Sequence, residues 1–439
     1  MDYADHVSLG RGARSTPVSL ATGTGYSVFN SLIIPRIKTA RKEVILVTCF
    51  WAPSITRESL RDALIALSDK ALETSCMITV QICFSSSSLA RNMLWPTPKD
   101  GEKYSPTQWA KLGLPGPDDV RGLDLRVTRK FFWPFGIIHS KYVIIDRKLA
   151  IFPSCNVSWE RWFEAAITMT GPVVQDLIAF HESFWPSPTG PSISLSTREG
   201  VEIDSNEGND VGIHPGPDPS AVILTDTGRA PTVLLPSPHQ HSLVPFWCRP
   251  RALVGQCPCL PGIASGYSQT PLLCTTHHLL STARSSITML TPNLTEPTVL
   301  EAVRDALQSG VCVRIWTNRT LMTAEQIVTA GTTTPACVRS LEKTSRGSRG
   351  KLDVHYFDDV QQGATKKSTP TDPTTTLGDR ETTPVKLHAK VTIVDDDKVL
   401  LGSGNMDAAS WRTSQELGVL IESRAVIERF KKEWKHGGI

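Results

Sequence analysis

The sequence predicts an α/β protein built twice over: two similar α/β sandwich domains with mixed sheets, related by internal duplication and sharing one cleft. Three observations carry that expectation. An apolar, β-branched run, an amphipathic stretch and a second apolar run follow one another twice along the chain. Each amphipathic stretch carries the same tetrapeptide, Arg-Asp-Ala-Leu, at residues 61–64 and 304–307. A His-x-Lys-x4-Asp pattern closes each copy, beginning at His139 and at His388. A repeat is sought before single motifs are weighed, because it fixes the architecture.

The first copy opens with residues 43–50, turns at Pro53, forms a helix through residues 59–64 and returns as a strand at 77–83. The second opens with residues 287–292, forms a helix through 302–307 and returns at 311–316. Apolar strands joined by a crossover helix imply parallel pairing under helical cover. Further strands are expected near residues 123–127, 142–145 and 166–169, with counterparts near 352–356, 391–394 and 417–421. At 439 residues the chain suits two domains with sequence to spare. The expected division is an N-terminal extension at 1–29, a first domain at 30–185, a linker or loop at 186–230 and a second domain at 231–436. The linker is rich in Pro, Gly, Ser and Asp, and a polar insert at 361–384 reads as a disordered surface loop.

Composition narrows the class. With 40% hydrophobic and 20% charged residues the chain can bury a large core. A net charge of +3 and a pI near 8.3 tolerate an anionic substrate, without the basic face of a dedicated nucleic-acid binder. The ten cysteines, several inside apolar runs, read as reduced thiols of an intracellular protein. Cys248, Cys257, Cys259 and Cys274 with His277 and His278 match no regular zinc signature, so neither a metal nor another cofactor is expected. No run reaches the ~18 apolar residues of a membrane span, and no apolar leader opens the chain. Arg11 and Arg14 suggest an organelle presequence, against which Asp2 and Asp5 count. The expectation is an intracellular protein, soluble or peripheral to a membrane.

The chemistry lies in the paired motifs: His139, Lys141 and Asp146 in the first half, His388, Lys390 and Asp395 in the second. Each is followed by Ser-x-Asn, as Ser154 and Asn156 and as Ser403 and Asn405, and then by a carboxylate before a strand, Glu164 and Glu416. In extended backbone His and Lys two apart project together, whereas the Asp falls on the other parity and reads as support. Lysines supply charge to non-bridging oxygens, and Ser and Asn donate hydrogen bonds to them. One imidazole can attack phosphorus while the other protonates the leaving group. A buried carboxylate can fix the tautomer of each. One such motif alone is weak, and a lone His near a strand start is more often structural. Two copies at matching places of a repeat are a different matter.

The pattern resembles the phospholipase D superfamily, defined by paired His-x-Lys-x4-Asp motifs with a following Gly-Ser-x-Asn, and the resemblance spans residues 30–185 and 230–432. It implies two α/β domains around one cleft, so that a monomer suffices for a complete site. It also implies a phosphohistidine intermediate and hydrolysis or transfer of a phosphoryl group to an alcohol, with no cofactor. Carried over, the site is His139, Lys141, Ser154 and Asn156 with His388, Lys390, Ser403 and Asn405. Asp146 and Asp395 complete the motifs, Glu164 and Glu416 orient the imidazoles, and the family order makes His139 the nucleophile and His388 the acid. One departure is Pro153 before Ser154, where the second half has Gly402.

For the substrate, Phe131, Phe132, Trp133 and Phe135, with Trp95, are expected at the cleft mouth. There they would bury acyl chains or insert at a bilayer interface, or stack bases of a single strand; core packing is the plainer alternative. The two-motif layout resembles cardiolipin-synthase-like and phospholipase-like members more than the short one-motif nucleases. The leading expectation is a phosphodiesterase or phosphatidyltransferase acting on glycerophospholipids, with peripheral membrane contact. A nuclease cutting DNA or RNA is the rival, and an inactive scaffold is disfavoured because both His-Lys pairs are intact.

Overall fold

The computed structural model describes residues 13–86, 97–98, 100–132, 136–185, 221–224, 227–239, 270–357 and 383–434. In the first half the elements run β1 (Arg14–Gly23), α1 (residues 25–39, with a π turn at Phe29–Ile33), β2 (Glu43–Phe50), α2 (Ile55–Glu73) and β3 (Ile78–Ser86). Then come β4 (Glu102–Tyr104), β5 (Leu123–Arg129), β6 (Tyr142–Ile145), β7 (Leu149–Pro153), β8 (Trp162–Thr170) and α3 (Pro172–Phe184). A short β9 (Ala221–Ile223) precedes the second half, which opens β10 (Ala230–Ser237), α4 (Pro271–Ser281), β11 (Ser286–Leu290), α5 (Pro297–Gln308) and β12 (Cys312–Thr317). It continues with α6 (Thr323–Ala330), α7 (Thr334–Thr344), β13 (Leu352–Tyr356), β14 (Lys386–Leu387) and β15 (Val391–Val394). The chain closes with β16 (Lys398–Gly402), α8 (Ala408–Arg412), β17 (Glu416–Glu422) and α9 (Arg424–Glu433).

The pairings repeat strand for strand. β2 and β3 are parallel, as are β3 and β5; β2–β6, β6–β7, β7–β8 and β8–β1 are antiparallel. In the second half β11–β12 and β12–β13 are parallel, and β11–β15, β15–β16, β16–β17 and β17–β10 are antiparallel. The parallel members are the apolar runs joined by α2 and α5, where Ser54 caps α2 by accepting from Arg57 N and the Arg-Asp-Ala-Leu leucines face inward. Each half is thus a mixed sheet under helices, and the strand positions expected from the sequence coincide with β5, β6, β8, β13, β15 and β17.

Residues before 30 do more than extend the chain. β1 pairs with β8 from Thr16↔Thr170 to Gly23↔Glu164, so the first sheet is completed by sequence read as an extension. Alternating Ser, Thr and Pro gave those residues no apolar run to announce a strand, although Val18 and Leu20 fit its pleat. The polar insert at 361–384 lies outside the described residues but for its last two, as does most of the 186–230 stretch.

Three apolar clusters hold the molecule. One lies between the first sheet and its helices, around Ile33, Leu60, Leu67 and Phe84. A second lies between the second sheet and its helices, around Met289, Val303 and Leu341. The third is shared, with Ile45, Phe163 and Phe184 of the first half packed among Trp316, Val391 and Phe430 of the second. Phe163 meets Phe357 at 5.7 Å and Trp434 at 4.7 Å between ring centroids, so the seam is an apolar core in its own right. Phe131 and Phe132 are buried too, and Phe132 packs on Phe184 at 6.5 Å. These two aromatics therefore belong to the core and not to an acyl-binding mouth; Trp95, Trp133 and Phe135 lie outside the described residues. Among the described residues no helix is long and apolar enough to cross a membrane.

Candidate active site

The segments before β6 and β15 carry the two histidines to the seam. The backbone of His139 donates to Gln415 O at 2.8 Å, and Gln415 N donates to Ile137 O at 2.8 Å. The second segment mirrors it: His388 N and Ala389 N donate to Phe163 O at 2.9 and 2.8 Å, beside the parallel pair β14–β8. Each histidine therefore docks on the residue that precedes a glutamate of the opposite half. His139 Nδ1 lies 2.9 Å from both Oε1 and Oε2 of Glu416, and His388 Nδ1 lies 2.8 Å from Glu164 Oε1. The carboxylates are exchanged across the seam, which no motif within one half announces. With Nδ1 as donor to a carboxylate, each imidazole keeps Nε2 for chemistry.

Lys141 and Lys390 are buried, and their Nζ atoms donate to the carbonyls of His139 at 2.7 Å and His388 at 2.5 Å. Each ammonium is folded back onto its own motif with further N–H groups to offer. Burial pushes Lys390 down to about 7, against the pull of Glu164, and Lys141 pushes it the same way. A phosphate anion between the lysines would relieve that stress.

The serines are bonded to the glutamates of their own halves. Ser154 Oγ donates to Glu164 and accepts from Ala165 N at 2.9 Å. Ser403 Oγ donates to Glu416 at 2.5 Å and accepts from Leu417 N at 3.0 Å. Both hydroxyls are buried and engaged on the glutamates. Pro153 leaves this geometry intact: Ser154 N donates to Ala165 O at 2.8 Å and Ser403 N to Leu417 O at 2.9 Å. Gly402 has its own reason, since a Cβ there would stand 2.4 Å from Leu417 O.

The asparagines differ. Asn156 Oδ1 accepts from Phe50 N at 3.2 Å, which leaves its amide nitrogen as a donor. Asn405 instead gives its amide nitrogen to Asp407 Oδ2 at 3.0 Å. Asp146 and Asp395 stand apart from the imidazoles, at the far end of their strands. Both adopt positive φ, 52° and 53°, at hairpin turns. Asp146 accepts from the backbone N–H groups of Arg41, Lys42 and Glu43 at 2.7–3.1 Å. Asp395 accepts from those of Arg284, Ser285 and Ser286 over the same range. Partial burial of Asp395 is outweighed by those bonds, which hold its carboxyl below the usual range. The motif aspartates are clamps on the loops entering β2 and β11.

Electrostatics separate the two imidazoles. Burial lowers both, but His388 is held well below its ordinary value, with Lys390 and Lys141 adding to the effect. His139 is depressed by burial while Glu416 pulls it back up, and Glu416 itself, despite its burial, is held below the carboxylate range by His139, Lys141 and the Ser403 hydroxyl. Burial raises Glu164 to about 7 even though Lys390 opposes it. The sequence also gave no notice of Trp162, whose ring lies 4.5 Å from that of His388. Among the described residues no group of three or more His, Cys, Asp or Glu side chains could hold a metal ion.

Residues 277–436 match the family model described as cardiolipin synthase, phospholipase D-like domain. No curated protein matches the chain in sequence. Among solved structures, phosphatidylserine synthase from Haemophilus influenzae is similar over 99% of this chain and 91% of its own, at 14% identity and a TM-score of 0.56. Nuc from Salmonella typhimurium, a phospholipase D family member, aligns with 39% of this chain and 89% of its own, at 21% identity and a TM-score of 0.26. NucT from Helicobacter pylori aligns with 47% and 94%, at 14% identity and a TM-score of 0.26. The first of these shows a fold shared along the whole chain.

Proposed function

We propose that the chain belongs to the phospholipase D superfamily, a reading supported by the family match of residues 277–436, and that it hydrolyses or transfers the phosphatidyl group of glycerophospholipids through a phosphohistidine intermediate. One observation carries the reading: two imidazoles held at Nδ1 by exchanged glutamates, at 2.9 and 2.8 Å, beside two buried lysines. Such a set supplies a nucleophile, a proton donor and two cations for one phosphodiester.

In the first step Nε2 of one imidazole attacks phosphorus and the P–O bond to the head group breaks. The other imidazole, protonated, gives its Nε2 proton to the departing alkoxide, which leaves as an alcohol. In the second step that imidazole, now neutral, takes the proton of water or of an acceptor alcohol as its oxygen attacks phosphorus. The P–N bond breaks and the first imidazole regains its lone pair. Lys141 and Lys390 hold the non-bridging oxygens, with the Asn156 amide beside them. Family order gives the attack to His139. The surroundings favour the reverse, because His388 is the more firmly neutral imidazole and His139 faces the ionised Glu416. His388 is accordingly the nucleophile and His139 the acid. The same reading makes the halves duplicated domains, at 30–185 with β1 added and at 231–436.

A phosphatidyl substrate agrees with the name of the Haemophilus enzyme that shares the fold. Incubation with phosphatidylcholine or phosphatidylglycerol vesicles and a primary alcohol is expected to yield the phosphatidyl-alcohol, with a rate indifferent to chelators. Product from oligonucleotides alone would overturn the lipid reading, and loss of turnover with EDTA would overturn its metal-free step.

A further inference from the structure

Nine large apolar side chains are exposed among the described residues, and five of them lie along one lip of the cleft: Trp159, Met322, Ile327, Val328 and Val385. Their adjacency follows from the bonds between them. Val385 N donates to Arg161 O at 2.7 Å, two residues beyond Trp159, and Lys386 pairs with Trp162, which covers His388. Lys386 Nζ donates to Thr320 O at 2.7 Å, two residues before Met322, the residue that opens α6. α6 is tied to the site through Gln326 Nε2 to Asn293 Oδ1 at 2.9 Å and Asn293 Nδ2 to Asp407 Oδ2 at 3.2 Å, the carboxylate that holds Asn405.

The outer side of α6 is unusual for a surface helix. Its eight residues carry one charged side chain, Glu325, while Ile327 and Val328 are 54% and 57% exposed. Met322 is held at φ 51°, a conformation that bulky side chains rarely adopt. Near the strip residues in the chain are Arg161, Arg319 and Lys386, with Glu160 and Glu325; Arg319 lies 4.0 Å over the Tyr356 ring. Four of the five are aliphatic and do not stack bases, so a nucleic acid would gain little beyond Trp159, whereas a bilayer takes up all five apolar side chains with cations at head-group level.

We propose that this lip, α6 together with the Trp159–Arg161 and Val385–Lys386 edges, docks the cleft onto a bilayer containing anionic glycerophospholipid. The proposal rests on the lipid reading of the site and gives it a surface: α6 and Trp159 enter the interface, and the head group meets the lysines from the His388 side. The strip lies apart from Phe131 and Phe132, the aromatics that the sequence offered for this role.

Sedimentation of the full chain with vesicles of phosphatidylglycerol and phosphatidylcholine tests it. The double variant Ile327→Glu/Val328→Glu is expected to lose at least tenfold in vesicle affinity, while turnover of soluble bis-p-nitrophenyl phosphate stays within twofold of the parent. Trp159→Ser, on the other edge of the lip, is expected to lose about threefold, so the result does not hang on one helix. Unchanged vesicle affinity in both variants overturns the proposal, as does failure of the parent to bind vesicles. Loss of single-stranded oligonucleotide affinity in the variants, with vesicle binding intact, overturns it in favour of a nucleic-acid surface. Vesicle binding that falls as stated, with no phosphatidyl product from the parent, supports the docking surface and sinks the lipid chemistry separately.

Discussion

His139 and His388 occupy matching places in the two halves, yet their neighbourhoods differ. His139 meets both oxygens of a glutamate that keeps its charge; His388 meets one oxygen of a glutamate raised to about 7 and lies under the Trp162 ring. The position two residues before Glu416, equivalent to Trp162, is Ser414. Next to the motifs, Asn156 is anchored through its oxygen, whereas Asn405 is anchored through its nitrogen by Asp407, where the first half has Ser158. Two copies of one motif thus acquire unlike electrostatic surroundings through residues outside the motif: burial lowers both imidazoles, His388 further than His139, which Glu416 pulls back up.

The sharpest way to break that comparison is to remove each imidazole. His139→Ala and His388→Ala are each expected to cost more than about a thousandfold in turnover of a phospholipid, and the double variant little more, because the pair acts as a unit. A nitrophenyl leaving group needs no proton, so His139→Ala should still release one equivalent of nitrophenolate in a burst while His388→Ala releases none. The opposite pattern would restore the family order.

Smaller effects are expected at the glutamates. Glu416→Gln should cost about a hundredfold and Glu164→Gln about tenfold, since Gln resembles the protonated carboxyl that Glu164 already approaches near neutrality. Equal losses would erase the distinction. Glu164 raised to about 7 and Lys390 lowered to about 7 form one buried, coupled set, expected to give kcat/KM a limb near pH 7. Glu164→Gln removes the carboxylate that holds the Lys390 proton, so the limb should move to lower pH. A limb that stays in place would assign it elsewhere.

Stability offers a further contrast. In the first half His181 is buried in a neutral network, 3.0 Å from Tyr142 Oη and 3.2 Å from Gln81 Oε1. Burial lowers its pKa to about 3. An unfolded histidine titrates near 6.5, so acid favours the unfolded chain between those two values. The loss from pH 8 to pH 5 should be about 2 kcal/mol, read by urea melts, and largely absent in His181→Gln. Last come the turn aspartates: Asp146→Ala should destabilise by about 1–2 kcal/mol and Asp395→Ala by slightly more, because Asp395 also accepts from Ser285 Oγ at 2.9 Å.

The sequence made the strands of both sheets visible wherever they were continuous and apolar, as at β2, β3, β11 and β12. It was silent on β1 and β10, which are interrupted by proline and by Ser and Thr, and on α6, whose N-cap Met322 makes no side-chain capping bond. The histidines and lysines were legible because a motif repeats at matching places. The partner of each imidazole was not, because Glu164 and Glu416 are alike in sequence and only the docking of His139 on Gln415 and His388 on Phe163 selects the opposite carboxylate. The serines illustrate another limit: nothing in the spacing of a hydroxyl two residues from an amide announces its bond to a buried carboxylate.

The exchanged glutamates also make the protein a gauge of its own assembly. A slip of one half against the other by about 1 Å lengthens both imidazole–carboxylate contacts together, and reactivity is steep in displacements of that size. Neither half can drift, loosen or be replaced alone without both active imidazoles registering it, so substitutions at the Phe163–Trp434 seam should appear in catalysis before they appear in melting temperature.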